Sequence, residues 1–273
     1  MRPLSQLLDN LPHSVFGNTR MRSGSALPAS SASKNALATQ ALIRQGLHSC
    51  ALFAPWPELA IDRVVRIARL AHYERGSVVL PEDRDRRDLK LVVSGRLAVS
   101  GVNAGGAKFM LSLIGPGEIV GLVRLLKQDG HLYDYEAHVD TTVIHLPSEA
   151  LVAVLDQTPV LWKDVALLAL ERQRDSIVAM QRGALGGVQQ RLAMILVQVA
   201  KGESDYARTS KGGRAEPQAL RLSQSDLANM VSVSRQTINK EIGLLASKGI
   251  VEASYGRLTI VDMYALRRIA QWQ

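Results

Sequence analysis

One stretch of the chain constrains its fold more than any other: residues 223–253, which read SQSDLANMVSVSRQTINKEIGLLASKGIVEA. Ser223 is a good helix-capping residue, and Asp226 three positions later completes a pattern close to a capping box. Ser234 can cap a second helix after a short break. The small Ala228 allows two crossing helices to approach closely. The stretch therefore predicts two short helices joined by a tight turn, a helix-turn-helix.

The turn and the segment after the second helix complete the motif. Ser232 stands in the turn where glycine is usual, and we expect some strain because a left-handed backbone costs serine more. Further on, Ile250–Ala253 and Arg257–Val261 are strand-like runs that meet at Tyr255-Gly256. They predict a hairpin, or wing, beside the two helices.

The side chains of the second helix suit DNA. Arginine can bind guanine O6 and N7 bidentately, and glutamine or asparagine can bind adenine N6 and N7. Helix N-terminal N–H groups with capping serines suit phosphates. A net charge of +8 agrees with an acidic partner. We predict contacts to double-stranded DNA from Ser223, Gln224, Ser234, Arg235, Gln236, Thr237, Asn239 and Lys240. The alternative is a solvated helical pair, or a surface that binds another protein.

Residues 73–147 show a period of two with glycine-containing turns. The alternating positions are Leu89, Leu91 and Val93 in one run and Phe109, Leu111 and Leu113 in another. Short half-buried strands at regular spacing predict a small barrel or sandwich.

A long helix is expected over Pro159–Arg182, with Thr158 as its N-cap. Its apolar side chains at Leu161, Val165 and Leu168 have helical spacing. They can form a homodimer seam or pack on the chain's own barrel. Glycines after this helix predict a hinge.

These patterns divide the chain into four parts. Residues 1–50 are expected to form a flexible basic tail, because Asn10–Pro57 contains no Asp or Glu; a transit peptide is the alternative. We expect residues 51–157 to form the barrel, 158–184 the long helix that can serve dimerisation, and 185–273 the winged helix-turn-helix domain.

This arrangement resembles the CRP/FNR (cyclic-AMP receptor protein and fumarate-nitrate regulator) family of bacterial transcription factors. The similarity is carried by LSQSDLANMVSVSRQTINKEIGLLASKGIVEASYGRLTIVD and by the barrel turns ERGSVVLPED, LVVSGRLAVS and LIGPGEIVG. It implies an α+β fold with an N-terminal cyclic-nucleotide-binding-like β-barrel (jelly roll), a long dimerisation helix and a C-terminal winged helix-turn-helix. It also implies a homodimer on a two-fold operator, with RNA polymerase as a further partner. Arg235, Gln236 and Lys240 match the family's DNA-contacting positions, although the cyclic-AMP receptor type has Glu where this chain has Gln236.

The resemblance also bears on a small-molecule effector. In cyclic-nucleotide binders of the family a Gly-Glu pair meets the ribose, and Gly117 and Glu118 match it. An Arg-Ser pair holds the phosphate, but the corresponding position here is His131-Leu132, and no Arg or Lys lies between Lys127 and Lys163. We therefore expect an effector other than a cyclic nucleotide, or none.

Other classes of site find little support. Cys50 is the single cysteine, which excludes an intrachain disulfide and an all-cysteine iron–sulfur cluster. His131, His138 and His145 are spaced by seven, so on extended chain they alternate between faces and do not converge on haem or a metal.

No catalytic or cofactor-binding motif is present. No apolar run reaches the roughly 18 residues of a membrane helix. We expect a cytoplasmic protein that is not an enzyme and has no cofactor, metal or membrane partner.

Overall fold

The computed structural model describes residues 29–79, 87–102, 108–126, 133–210, 218–220, 222–254 and 257–271. The helices are α1 (Ala29–Ser49), α2 (Glu58–Ile67), α3 (Ser148–Gln157), α4 (Trp162–Leu185), α5 (Val188–Ser210), α6 (Gln224–Val231), α7 (Arg235–Ser247) and α8 (Met263–Ala270), with 3₁₀ turns at Leu122–Leu125 and Pro159–Leu161. The strands are β1 (Arg69–Tyr73), β2 (Asp88–Ser94), β3 (Leu97–Val102), β4 (Lys108–Ile114), β5 (Ile119–Val120), β6 (Asp134–Ala137), β7 (Thr141–Pro147), β8 (Gln218–Leu220), β9 (Val251–Ser254) and β10 (Arg257–Ile260).

Strands β1 to β7 form the expected antiparallel barrel from two sheets, in the orders β1-β7-β2-β5 and β4-β3-β6. Alternate residues of β2 point to opposite faces, as a strand requires. Leu89, Leu91 and Val93 pack against the helices around the barrel. Val92 points the other way, into an interior cluster with Leu97 of the second sheet. The alternation predicted for β2 is confirmed, and it separates a helix-covered face from the barrel interior.

The alternation predicted for β4 is wrong at Leu111. The register of β3 and β4 shifts between Val99 and Ser100, which leaves Leu111 as an extra residue between paired Ser112 and Met110. Such a bulge reverses the inward and outward faces of the strand beyond it. Leu111 is therefore exposed, whereas Met110 joins the apolar cluster of the C-terminal domain.

The prediction of a flexible tail over residues 1–50 is wrong for its second half. Ala29–Ser49 is helix α1, and its Leu42, Ile43 and Leu47 are buried in the barrel-side core. A Cβ at Gly46 would lie 2.7 Å from Ile144 Cδ1, so the glycine permits close packing of helix on sheet. The Ser- and Ala-rich composition conceals an apolar stripe at helical spacing. Residues 1–28 lie outside the described residues.

Helix α4 follows the barrel and has two apolar faces. Leu161, just before it, and Val165 are buried in the barrel-side core, with Leu168 packed against them. These predicted seam residues thus serve the chain's own barrel. On the opposite face Leu170 and Ile177 are exposed. Thr158 precedes a 3₁₀ turn and makes no side-chain cap bond, so the predicted N-cap is wrong and α4 begins at Trp162.

The C-terminal domain is a winged helix-turn-helix, as predicted. Helices α5 to α8 surround one apolar core that includes Leu192, Leu227, Ile238 and Leu266. Beside them lies a sheet in the order β8-β10-β9, and its β9–β10 hairpin is the wing. Tyr255-Gly256 at its tip lies outside the described residues.

Candidate functional site

Two capped helices build the helix-turn-helix. Ser223 Oγ accepts from the Asp226 N–H at 3.1 Å, while the Asp226 carboxylate accepts from the Ser223 N–H at 3.0 Å. This reciprocal pair is a complete capping box. Ser234 Oγ accepts from the Thr237 N–H at 3.1 Å and caps α7. The caps fix where each helix begins, and so fix which side chains α7 presents.

The turn between the helices has the strain that the sequence predicts. Ser232 has φ of 59°, and it is the single non-glycine residue with positive φ among those the structure describes. Its N–H donates to Asn229 O, and the next N–H, of Val233, donates to Ala228 O. These bonds end α6 in the left-handed conformation that glycine usually supplies.

Helix α7 separates a buried face from a polar face. Ile238, Ile242 and Leu245 are buried in the domain core. Arg235 and Asn239 are one helical turn apart, as are Gln236 and Lys240, so these four lie on one side of the helix. All four are exposed. A helix with such a face fits the major groove, where base edges and phosphates are within reach.

The remaining predicted DNA-contacting residues lie beside this face. Arg235 Nε donates to Gln224 Oε1 at 3.4 Å, which joins the starts of α6 and α7. Thr237 is half-buried, and its hydroxyl lies 2.9 Å from the Ser234 hydroxyl. The two capping hydroxyls, of Ser223 and Ser234, are thus engaged in the fold. The first N–H groups of a helix have no partner within the helix, so the starts of α6 and α7 are suited to contact a phosphate.

The barrel packs directly on the helix-turn-helix. Ala98 and Leu113 of the barrel share the apolar cluster of the C-terminal domain. His138 Nε2 lies 3.9 Å from the Asp226 carboxylate, so a capping residue of α6 also faces the barrel. A cavity of about 370 Å³ lies at this junction, between Arg75 and Ser100 on one side and Asn229 on the other.

The residues expected to meet an effector ribose have structural roles. Gly117 has φ of 80°, and a Cβ there would lie 2.9 Å from Ser49 O. The Glu118 carboxylate accepts from the Gly115 N–H at 2.6 Å, within its own turn. The second expected position, His131-Leu132, lies outside the described residues.

A polar network occupies one end of the barrel interior. The buried Asp88 carboxylate lies 3.5 Å from Arg69 and 3.6 Å from His145 Nδ1. His145 Nε2 is in turn 2.8 Å from the Tyr73 hydroxyl. Burial raises the pKa of Asp88, but the hydrogen bond from His145 and the nearby positive charges outweigh burial and hold that pKa below its usual value. Asp88 is therefore an ionised carboxylate already shared between two partners.

Three cations near this network were not found from the sequence. Lys90 is 1% exposed, and its Nζ lies 5.3 Å from the centre of the Tyr135 ring. Arg124 lies on the 3₁₀ turn after β5, and Arg172 on α4 donates to Ile119 O. The three come from separate elements, and no local pattern relates them.

The other residues considered as ligands stay apart. His145 faces the barrel interior and His138 faces α6, while His131 lies outside the described residues. Burial raises the pKa of the Cys50 thiol to about 11, which makes it unreactive at neutral pH. Within the described ranges no cluster of three His, Cys, Asp or Glu side chains could hold a metal. None of the helices described is long and apolar enough to cross a membrane.

Comparison with known proteins agrees with this architecture. Residues 70–158 match the cyclic nucleotide-binding domain family, and residues 190–269 match the Crp-like helix-turn-helix domain family. Transcriptional regulator SdrP of Thermus thermophilus is 25% identical over 214 residues, covering 76% of this chain and 97% of that protein. The cyclic AMP receptor protein of the same organism is 23% identical over 198 residues, covering 72% of this chain and 86% of that protein.

Solved structures show the same fold. A CRP/FNR-family transcriptional regulator from Thermus thermophilus superposes with a TM-score of 0.57 at 24% identity, over 74% of this chain and 98% of that one. FixK2 from Bradyrhizobium japonicum superposes with a TM-score of 0.61 at 16% identity, over 76% of this chain and 99% of that one.

A cyclic-nucleotide-binding domain joined by a long helix to a DNA-binding helix-turn-helix defines a transcription regulator. The chain belongs to the CRP/FNR family of these regulators. Regulators of this family bind DNA through the helix-turn-helix and typically act as dimers.

Proposed function

We propose that this protein is a homodimeric regulator that recognises a near-palindromic operator through helix α7. The observation that carries the proposal is the exposed polar face formed by Arg235, Gln236, Asn239 and Lys240 on a capped, core-anchored helix. Arg235 and Gln236 read base edges, and Lys240 neutralises phosphate.

The outward face of α4 supports the dimer. Leu167, Leu170, Ile177 and Met180 are 47%, 61%, 49% and 75% exposed, although each is apolar. They follow one another at intervals of three and seven residues, which keeps them in one stripe. An exposed apolar stripe on a long helix is suited to pairing with the same stripe of a second copy. Two α7 helices then face half-sites about 34 Å apart.

The barrel is proposed to control DNA binding through an effector that is not a cyclic nucleotide. Glu118 bonds within its own turn, and the sequence has no Arg or Lys between Lys127 and Lys163 to clamp a cyclic phosphate. We expect neither cyclic AMP nor cyclic GMP to change DNA affinity. On promoters, RNA polymerase is the proposed partner, and the cytoplasm is the proposed location.

Footprinting of the purified protein on genomic fragments tests the DNA proposal. An enriched inverted repeat with half-sites one helical turn apart is the expected result. Weak, sequence-blind retention of every fragment would instead indicate a module that acts through another protein. In vitro transcription from a footprinted promoter then measures whether RNA polymerase responds.

A further inference from the structure

One side-chain hydrogen bond joins the two helices of the helix-turn-helix at their N-terminal ends. Arg235 Nε donates to Gln224 Oε1 at 3.4 Å. Each of the two residues is the first of its helix, directly after the capping serine. Among the residues that the structure describes, the Gln224 amide is the single hydrogen-bond partner of the Arg235 side chain, and no carboxylate pairs with it.

The fold fixes where the two side chains start. The capping serines set the first residue of each helix. The Val233 N–H donates to Ala228 O, which fixes the turn between the helices. Gln224 is half-buried, whereas Arg235 is exposed. Because burial restricts the rotamers of a side chain, the amide is the anchor and the guanidinium is the group that it orients.

The hydrogen bond engages one part of the guanidinium and leaves the rest. Arginine carries its five N–H donors in a rigid, planar fork. Gln224 occupies the Nε–H, so the terminal nitrogens Nη1 and Nη2 keep their donors for another partner. Two donors of this kind suit the bidentate contact with guanine O6 and N7. A side chain that is already oriented also loses less rotamer freedom when it binds.

The acceptor is neutral, which suits a DNA-binding surface. A carboxylate at this position would form a charge-assisted pair with Arg235 and would repel the phosphates of DNA. The amide oxygen of Gln224 orients the guanidinium without neutralising it. The positive charge of Arg235 therefore stays available to the nucleic acid.

We propose that Gln224 is a positioning residue, which holds the Arg235 side chain so that Nη1 and Nη2 face guanine O6 and N7. Gln224 thus contributes to base specificity through Arg235 and not by a base contact of its own. The inference rests on the proposed function, in which α7 reads the operator. It adds a residue of α6 to the determinants of sequence preference.

A double-mutant cycle on the footprinted operator tests the positioning role. Discrimination is the ratio of Kd values for operators with adenine and with guanine at the base pair where Arg235→Ala relaxes the preference. Gln224→Met keeps the length of the side chain and removes the acceptor. Discrimination should fall about three- to tenfold, as for the loss of one hydrogen bond. In the Arg235→Ala background the same substitution should have no further effect, because the group that it positions is gone.

Gln224→Glu separates orientation from charge. Its carboxylate still accepts from the Arg235 Nε–H, so discrimination should be retained, while the added negative charge should weaken binding to all sequences. Ser225→Ala is the matched control, since Ser225 is the neighbouring exposed position of α6. It should leave discrimination unchanged.

A second measurement needs no DNA. The side-chain Nε–H of Arg235 gives an NMR signal that Arg235→Ala identifies by its absence. In the free protein this signal should shift, and exchange faster with water, in Gln224→Met but not in Ser225→Ala. The melting temperature of Gln224→Met should equal that of the wild type. A large fall in melting temperature with unchanged discrimination would indicate a structural role only and would overturn the proposal.

The outcomes distinguish this inference from the proposed function. If Arg235→Ala loses discrimination and Gln224→Met keeps it, the positioning role is refuted and the proposed function stands. If Gln224→Met has the same effect with and without Arg235, Gln224 contacts the DNA directly and the positioning role is again refuted. If Arg235→Ala itself leaves the preferred motif unchanged, the proposed readout by α7 fails, and the positioning role fails with it.

Discussion

The two ends of the chain differ in how their functional side chains are assembled. In the C-terminal domain, the proposed base- and phosphate-contacting residues lie within one helix, between Arg235 and Lys240. In the barrel, Lys90, Arg124 and Arg172 come from a strand, a 3₁₀ turn and a helix. A helix places residues i and i+4 on one face wherever it occurs, so helical spacing alone brings the first set together. The second set meets only after the barrel has closed.

The largest expected effect concerns the long helix that lies between these regions. Leu170→Asp places a charge in the proposed dimer seam and should yield monomers. Loss of the second half-site contact should weaken operator binding by about 10²–10⁴-fold. Sedimentation and mobility shift measure the two consequences. Ala179→Asp, an exposed position of α4 on the side opposite Leu170, should leave both unchanged. A Leu170→Asp protein that stays dimeric would show that the stripe is not the seam.

The next effect tests whether recognition is confined to one helix. Arg235→Ala should lose about 1–3 kcal/mol of discrimination at one base pair, as expected for a bidentate contact. Lys240→Ala should instead weaken all sequences similarly and reduce the salt slope by about one unit. Binding assays on a library of operator variants at several salt concentrations distinguish the two. If Arg235→Ala left the preferred motif unchanged, this result would contradict the proposal that α7 reads the base sequence through Arg235.

The third effect tests whether the buried charge of Lys90 lowers the stability of the barrel. Lys90→Met replaces a buried cation, which forms no salt bridge with any residue that the structure describes, by an apolar side chain of similar length. We expect a gain of about 1–3 kcal/mol in the free energy of unfolding at pH 7, without ligand. Denaturant titration measures it, and Arg174→Gln is the surface control.

The pH dependence of that gain follows from the lowered pKa of Lys90. Between about pH 8 and the unfolded value near 10.4, the unfolded chain binds more protons than the folded one. Wild-type stability therefore rises with pH in this window relative to Lys90→Met. The gain from the substitution should be full below pH 8 and should shrink toward pH 10. A difference that is constant with pH would mean that Lys90 is not the titrating group.

The smallest effect concerns the strained turn of the helix-turn-helix. Ser232→Gly should raise the free energy of unfolding by about 0.5–1 kcal/mol, because glycine adopts a positive φ without the serine's steric cost. Ser225→Gly, the same change on an exposed position of α6, should lower it by a similar amount. Both are measured by denaturant titration. Destabilisation by Ser232→Gly would show that the hydrogen bonds around the turn, and not its φ, decide the conformation.

Several features followed from local sequence. The capping box at Ser223, the Ser234 cap, the strained Ser232 and the wing strands all depend on residues a few positions apart. The inward and outward alternation of β2 is local in the same sense. Such features are predictable because backbone geometry alone relates the residues concerned.

Other features required the folded chain. The apolar stripe of α1 was hidden by its Ser- and Ala-rich composition, and the bulge at Leu111 depends on the register of the neighbouring β3. The sequence does not distinguish the two faces of α4, because both are apolar. In the structure Val165 is buried against the barrel, whereas Leu170 is exposed to solvent.

The sequence by itself determined the helix-turn-helix and the wing, because both rest on short-range spacing and capping chemistry, and the resemblance of its motifs indicated the family. Only the tertiary structure decided what lines the barrel. Burial of Lys90 and the approach of Arg124 and Arg172 to Tyr135 arise from contacts between elements distant in the chain. Desolvation and Coulomb interaction depend on distances in space, which residue spacing does not encode.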